Sequence, residues 1–210
     1  MKVTKYEHAT LLIERADDLL VIDPGSFLTP PDFHGTVAVV ITHEHADHWT
    51  PEQLRRVLED SPEARIFGPQ GVVDAASEFE VEVVTAGQTV EIGAFTLQFF
   101  GGRHNVIHAS IPVVDNLGVL VNDELFHPGD SYTVPDVPVE TLAAPVGAPW
   151  LKIGEAMDYV LAVGAGRVFP IHEMTLSVAG FGLHSPRLER ATTERGGEYF
   201  VLAPGESIAL

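Results

Sequence analysis

The stretch Thr42-His43-Glu44-His45-Ala46-Asp47-His48-Trp49 constrains this chain more than any other. Three imidazoles and two carboxylates fall within the six positions from His43 to His48. The apolar run Val37-Ala38-Val39-Val40-Ile41 precedes them, and Pro51, a helix-start residue, follows closely. This order predicts a buried strand that delivers polar groups to its C-terminal end, where a loop opens into a helix. Imidazole nitrogens and carboxylate oxygens at this density suit a borderline or hard divalent cation.

Composition narrows what that cation site can be. None of the 210 residues is cysteine, which removes disulfides, thiolate ligands, iron–sulfur clusters and a cysteine nucleophile. Any metal must be bound through nitrogen and oxygen. Twelve basic and 30 acidic residues give a formal charge of −18, which repels phosphate backbones and disfavours a nucleic-acid partner. A small anionic substrate stays open, because a cation centre offsets the local field. Apolar residues make up 45% of the chain, as in a globular protein. No apolar run approaches the roughly 20 residues of a membrane span. The segment from Met1 to Tyr6 reads as a strand, not a signal peptide. The expected location is cytoplasmic.

The remaining pattern is rich in strands. Strands are expected over Val3–His8, Leu11–Glu14, Leu19–Ile22, Val37–Ile41, Arg65–Gly68, Val81–Val84, Gln88–Ile92 and Phe95–Phe100. More follow over Ser110–Val114, Gly118–Val121, Leu125–Phe126, Thr141–Ala144, Arg167–Ile171 and Tyr199–Leu202. Leu54, Val57 and Leu58 have helical spacing, with Thr50 as an N-cap. Further helices are expected over Gln70–Phe79, Ile153–Val163 and Pro186–Arg195. No linker or low-complexity run interrupts the chain, so residues 1–210 read as one domain, two sheets packed face to face with helices outside.

Three distant residues follow the same logic as the cluster. His104, Asp130 and His172 each come just beyond an apolar run. With Asp23-Pro24-Gly25, the spacing His43-x-His45-x-Asp47-His48 and Gly129-Asp130-Ser131, they resemble the metallo-β-lactamase superfamily along nearly the whole chain. Phe126-His127-Pro128-Gly129-Asp130-Ser131 and Pro170-Ile171-His172-Glu173-Met174-Thr175 are similar to its branch of small stand-alone hydrolases, the ascorbate-phosphate lactonase-like proteins.

The resemblance implies an α+β fold, a four-layer αββα sandwich with the site at the edge between the sheets. It implies two divalent ions. His43, His45 and His104 would hold the first; Asp47, His48 and His172 would hold the second; Asp130 would bridge them through its two oxygens. Zinc is the expected metal, with manganese and iron as alternatives, since His45 stands where di-iron relatives typically carry Glu. The implied activity is attack by a metal-bridging hydroxide on a small ester, lactone or phosphoester, with Asp47 orienting the hydroxide.

His104 is preferred to His108 because it lies nearer the end of its strand. His184, in a glycine-rich segment expected to be a loop, is the candidate proton donor. Asp23 is expected to hold a ligand imidazole, and His127 either does the same or merely ends a strand. Trp49 and Trp150 are expected to wall the pocket or simply to pack. His8 and His34 read as ordinary histidines. Competing functions are an iron-dependent oxidoreductase of the same fold, a phosphodiesterase or nuclease, and metals as structural staples. The partner is a small-molecule substrate, without membrane, and with a homo-oligomer possible.

Overall fold

Short apolar runs bounded by turns become strands, and the helical spacings become helices. The computed structural model describes residues 1–210. In chain order they are β1 (Lys2–Lys5), β2 (Leu11–Arg15), β3 (Asp18–Ile22), β4 (Thr36–Val40), α1 (Pro51–Asp60), β5 (Arg65–Gly68), α2 (Gln70–Ala75), β6 (Val81–Val83), β7 (Thr89–Ile92) and β8 (Phe95–Gly101). Then come β9 (Leu117–Val121), β10 (Leu125–His127), β11 (Thr141–Pro145), α3 (Ile153–Val163), β12 (Arg167–Ile171), α4 (Val178–Glu194), β13 (Glu198–Tyr199) and β14 (Ser207–Ala209).

The strands build two mixed sheets of seven, ordered β14-β1-β2-β3-β4-β5-β6 and β13-β12-β11-β10-β9-β8-β7, the last strand of the chain returning to the first sheet. Antiparallel hairpins give way to parallel pairing at β3–β4 in the first sheet and at β10–β11 in the second. Parallel strands need covered faces, and the pattern of β4 shows how this is met. Ala38 and Val40 point into the core between the sheets, with Phe67, Leu97, Val119 and Phe169. Val39 and Ile41 point the other way, under Leu54 and Val57 of α1. On the far side Leu142 and Val168 pack under Val160 of α3 and Leu188 of α4. The result is the four-layer αββα sandwich of an α+β protein.

Helix ends follow their caps. Thr50 Oγ1 accepts from Gln53 N at 3.2 Å, and Pro51 opens α1. Gly164, in the left-handed region at φ 65°, stops α3.

Several boundaries differ from the sequence expectation. Residues 110–114 form no strand, although their β-branched content suggests one. That loop instead folds back, and Val114 O accepts from His104 N at 3.0 Å. The last helix begins at Val178, eight residues before Pro186, because Ser177 caps it by accepting from Gly180 N at 3.0 Å. α2 ends at Ala75, short of Phe79. β1 stops at Lys5, and Glu7–Thr10 form a tight corner. The expected strand Tyr199–Leu202 is only Glu198–Tyr199. The chain then crosses to the other sheet and pairs as β14 with β1.

The strand ends place the polar residues. β3 runs into Asp23, β4 into Thr42 and His43, β8 into His104, β10 into Asp130 and β12 into His172.

Candidate metal centre

The side chains beyond these strand ends converge. His43, His45 and His104 can each offer an atom within 4.8 Å of the others, and so can His43, His48 and Asp130. The ring centroids of His43 and His45 are 4.7 Å apart and those of His45 and His104 are 4.8 Å apart. Asp130 lies between the groups. Its Oδ1 is 3.1 Å from both His48 Nε2 and His172 Nε2, and its Oδ2 is 3.3 Å from His104 Nε2. Asp47 Oδ2 is 3.5 Å from His172 Nε2 and 3.9 Å from His48 Nε2.

The outer nitrogens of the rings decide which inner atoms are free. His48 Nδ1 donates to Asp23 Oδ2 at 2.7 Å. His104 Nδ1 donates to the carbonyl of Asn105, and His172 Nδ1 to that of Gly147. His43 Nδ1 lies 3.1 Å from Thr42 Oγ1, whose proton already goes to Asp23 Oδ2. These four rings are held by Nδ1 and aim Nε2 inward, which is how a protein presents imidazole to a cation, whereas His45 turns its Nδ1 towards the cluster.

His43 Nε2 meets His45 Nδ1 at 3.1 Å, but four other inward atoms have no hydrogen-bond partner. His48 Nε2, His104 Nε2, His172 Nε2 and Asp130 Oδ1 are buried without a hydrogen bond. Each orphaned group costs about 1–3 kcal/mol unless something satisfies it. Three imidazole nitrogens and a carboxylate oxygen facing one another are satisfied together by a cation, so the donor set fits a metal centre.

The electrostatics agree. Burial drives His43 well below the usual histidine pKa, so its ring is neutral. Burial also opposes charge on His172, but Asp130 and Asp47 outweigh it and push the pKa up to about 9. His48 is raised well above its ordinary value for the same reason, against burial and through Asp130 and Asp23. Burial would raise Asp47 and Asp130, yet the surrounding imidazoles hold both carboxyls far below the usual range.

A known family matches this arrangement. The family model described as "Beta-lactamase superfamily domain" covers residues 2–172, from β1 through His172. The chain belongs to the β-lactamase superfamily. Protein Rv0786c of Mycobacterium tuberculosis is 37% identical over 200 residues, spanning 92% of this chain and 93% of that one. Among solved structures, Igni18, a novel metallo hydrolase from the archaeon Ignicoccus hospitalis, shares the fold with a TM-score of 0.74 at 18% identity, over 99% of this chain and 97% of that one. YhfI from Bacillus subtilis, a metallo-β-lactamase fold protein, does so with a TM-score of 0.73 at 18% identity, over 99% and 98%.

Within this superfamily chain the remaining polar residues separate clearly. His108 is exposed and bonded to Ser110, away from the cluster. Glu44 turns outward, so that a Cβ at Gly71 would meet its Oε2 at 2.3 Å. His127 spends both nitrogens on backbone, Nε2 donating to Ala9 O at 2.8 Å and Nδ1 accepting from Gly129 N at 3.1 Å. It shapes the turn that carries Asp130. His184 lies in α4, not in a loop, and Nδ1 donates to Val146 O at 2.7 Å, one residue from the carbonyl that anchors His172. Trp49 is buried under α1 with its indole N–H on Glu44 O.

Two contributions escape sequence reasoning. Trp150 Nε1 donates to Asp130 Oδ2 at 2.7 Å, a specific role where only walling or packing was expected. His8 is buried and its Nε2 lies 3.1 Å from Asp47 Oδ2. The one signal for His8 is a corner, Glu7-His8-Ala9-Thr10, that lacks glycine, asparagine and proline although the chain turns there. His8 accordingly takes a left-handed φ of 63°.

One glycine is required by close approach. A Cβ on Gly25 would sit 1.8 Å from the carbonyl oxygen of Asp47, so this turn can press against the His45–His48 loop only without a side chain.

Proposed function

We propose that this chain is a metal-dependent hydrolase that holds two divalent ions. His43, His45 and His104 would hold the first; Asp47, His48 and His172 would hold the second; Asp130 would serve both. The observation that carries this reading is the set of buried, unpartnered inward atoms, His48 Nε2, His104 Nε2, His172 Nε2 and Asp130 Oδ1. Membership of the superfamily and the likeness to a metallo hydrolase support it. The ligand set is nitrogen-rich and free of thiolate, which suits zinc and also admits manganese or iron.

Bound ions of this kind polarise a carbonyl or phosphoryl oxygen and bring the pKa of a coordinated water to about 7. The chain supplies the rest. Asp47 is the most open of the acidic ligands, with 28% of its side chain exposed, and its carboxyl stays ionised. It orients an incoming water and accepts a hydrogen bond from it. His184, held by the bond from its Nδ1 to Val146 O, is the candidate proton donor to the leaving group. The substrate is a small ester, lactone or phosphoester. A charge of −18 speaks against a polyanionic substrate.

The test pairs elemental analysis with a panel of esters, lactones and phosphodiesters, on protein purified without added metal. About two ions per chain and hydrolysis that both vanish in His45→Ala and Asp130→Ala are expected. Full metal content and unchanged hydrolysis in both variants contradict the assignment, and iron with oxygen-dependent chemistry points to an oxidoreductase instead.

A further inference from the structure

We infer that His8 is a positioning residue, a hydrogen-bond donor that aims Asp47 at the second ion. This rests on the two-ion reading above and adds a residue to it.

The corner that carries His8 is tied to the centre on every side. His8 O accepts from His172 N at 2.9 Å, and Thr10 Oγ1 donates to Asp23 O at 2.6 Å. His8 N donates to Glu173 Oε1 at 3.2 Å, and the same oxygen meets Lys5 Nζ at 2.6 Å in a pair where the lysine is 2% exposed. A non-glycine residue at φ 63° is strained and persists only where its surroundings impose it. Here the imposed conformation points an imidazole into the site. The ring packs 3.7 Å from that of His172 and 4.8 Å from Phe27.

Chemistry then chooses between ligand and donor. His8 can offer an atom within 4.8 Å of Asp47, His48 and His172, so geometry alone allows it to bind the ion directly. But its Nδ1 is buried with no partner. If Nε2 bound a cation, the ring proton would move to Nδ1 and become a buried donor without an acceptor, the rarer and costlier defect. With the proton on Nε2, Asp47 Oδ2 receives it at 3.1 Å and only a weak lone pair is left over. His8 therefore fixes the rotamer of Asp47, the one proposed ligand of the second ion that sits at the solvent edge. Outer partners of this kind are typically worth 10–100-fold in metal affinity.

The test titrates zinc into chelator-stripped wild type, His8→Phe and His8→Gln by calorimetry, with cobalt(II) absorption to report each site. His8→Phe keeps an aromatic ring against Phe27 but has no donor. It is expected to weaken the second zinc about 10-fold or more, leave the first unchanged, and alter only the second cobalt band. His8→Gln, which restores an N–H, is expected to recover most of that loss. Equal second-site affinity in His8→Phe and wild type overturns the inference, as does equal weakening of both sites. Wild type that takes up no second ion overturns the two-ion reading and this inference with it. Nitrogen-15 shifts of wild-type His8 decide independently of any variant. A proton on Nε2 in zinc-loaded protein is expected, and a proton on Nδ1 makes His8 a direct ligand and overturns the positioning role.

Discussion

Asp23 and His48 meet in the interior as a fully buried pair, with His48 Nδ1 2.7 Å from Asp23 Oδ2. Asp23 also accepts from Thr42 N at 2.8 Å and Thr42 Oγ1 at 2.7 Å. One carboxylate thus fastens the end of β3 to the end of β4 and holds a ring of the candidate centre. Asp23→Ala leaves these donors buried and unpaired. It is expected to destabilise the protein by about 3–5 kcal/mol, the range for breaking a buried charged pair. Urea unfolding checks the stability, and zinc titration checks an accompanying loss of second-site affinity.

Trp150 acts on the shared carboxylate. Its indole N–H donates to Asp130 Oδ2, the oxygen 3.3 Å from His104 Nε2, while Oδ1 faces His48 and His172. Trp150→Phe keeps most of the volume and removes the donor. A stability loss of about 1.5–3 kcal/mol is expected, the range for a hydrogen bond to a charged group. The comparison is with Trp49→Phe, whose lost bond is to a backbone carbonyl and not to a proposed ligand. Trp150→Phe is expected to lower metal affinity, and Trp49→Phe is not.

Much of this was legible in the sequence, for a physical reason. Strands buried on both faces must be continuously apolar, so β4, β9 and β12 announce themselves, and a polar residue just past such a run must be presented at a strand end. His172 follows β12 and Asp130 the short, fully buried β10 in this way, whereas His104 follows β8, whose burial alternates. The rest depended on contacts that no local pattern encodes. His8 lies at a corner whose shape comes from Glu173 and His172, more than 160 positions away. The start of α4 was hidden by Gly180, Gly182 and Pro186, each a weak helix former, and was fixed by the Ser177 cap together with packing of Leu188 and Ala191 on the second sheet. The segment 110–114 carries strand-like residues, yet Ile111 is exposed and its chain pairs with no sheet.

The pH response of the ion-free protein follows from His172. Its pKa is raised to about 9, with Asp130 and Asp47 overcoming burial. A raised histidine stabilises the fold fully below its unfolded value of about 6.5, and that contribution is lost as pH rises towards 9. Chelator-stripped protein is therefore expected to lose stability between about pH 6.5 and 9, with His48 adding to the trend. A cation must displace these protons, so zinc affinity is expected to rise over the same window. Calorimetry in buffers of different ionisation enthalpy counts the released protons, and no release near pH 7 contradicts the assignment.

Gly25 supplies a steric test of the loop. Gly25→Ala places a Cβ against the Asp47 carbonyl and must push the His45–His48 turn aside. Overpacking of this kind typically costs about 1–3 kcal/mol, and the upper end is expected here because the obstacle is backbone. Loss of second-site zinc should accompany the fall in melting temperature. The same change at Gly182, where a Cβ meets nothing within 4 Å, is expected to leave metal content intact.

An anomalous-difference map from crystals of the zinc-loaded protein, recorded on both sides of the zinc edge, tests the central claim most directly. Two peaks about 3.5–4 Å apart are predicted. One should lie against His43, His45 and His104, the other against Asp47, His48 and His172, with Asp130 between them. A lone peak elsewhere, or none within reach of His48 Nε2 and Asp130 Oδ1, contradicts the account.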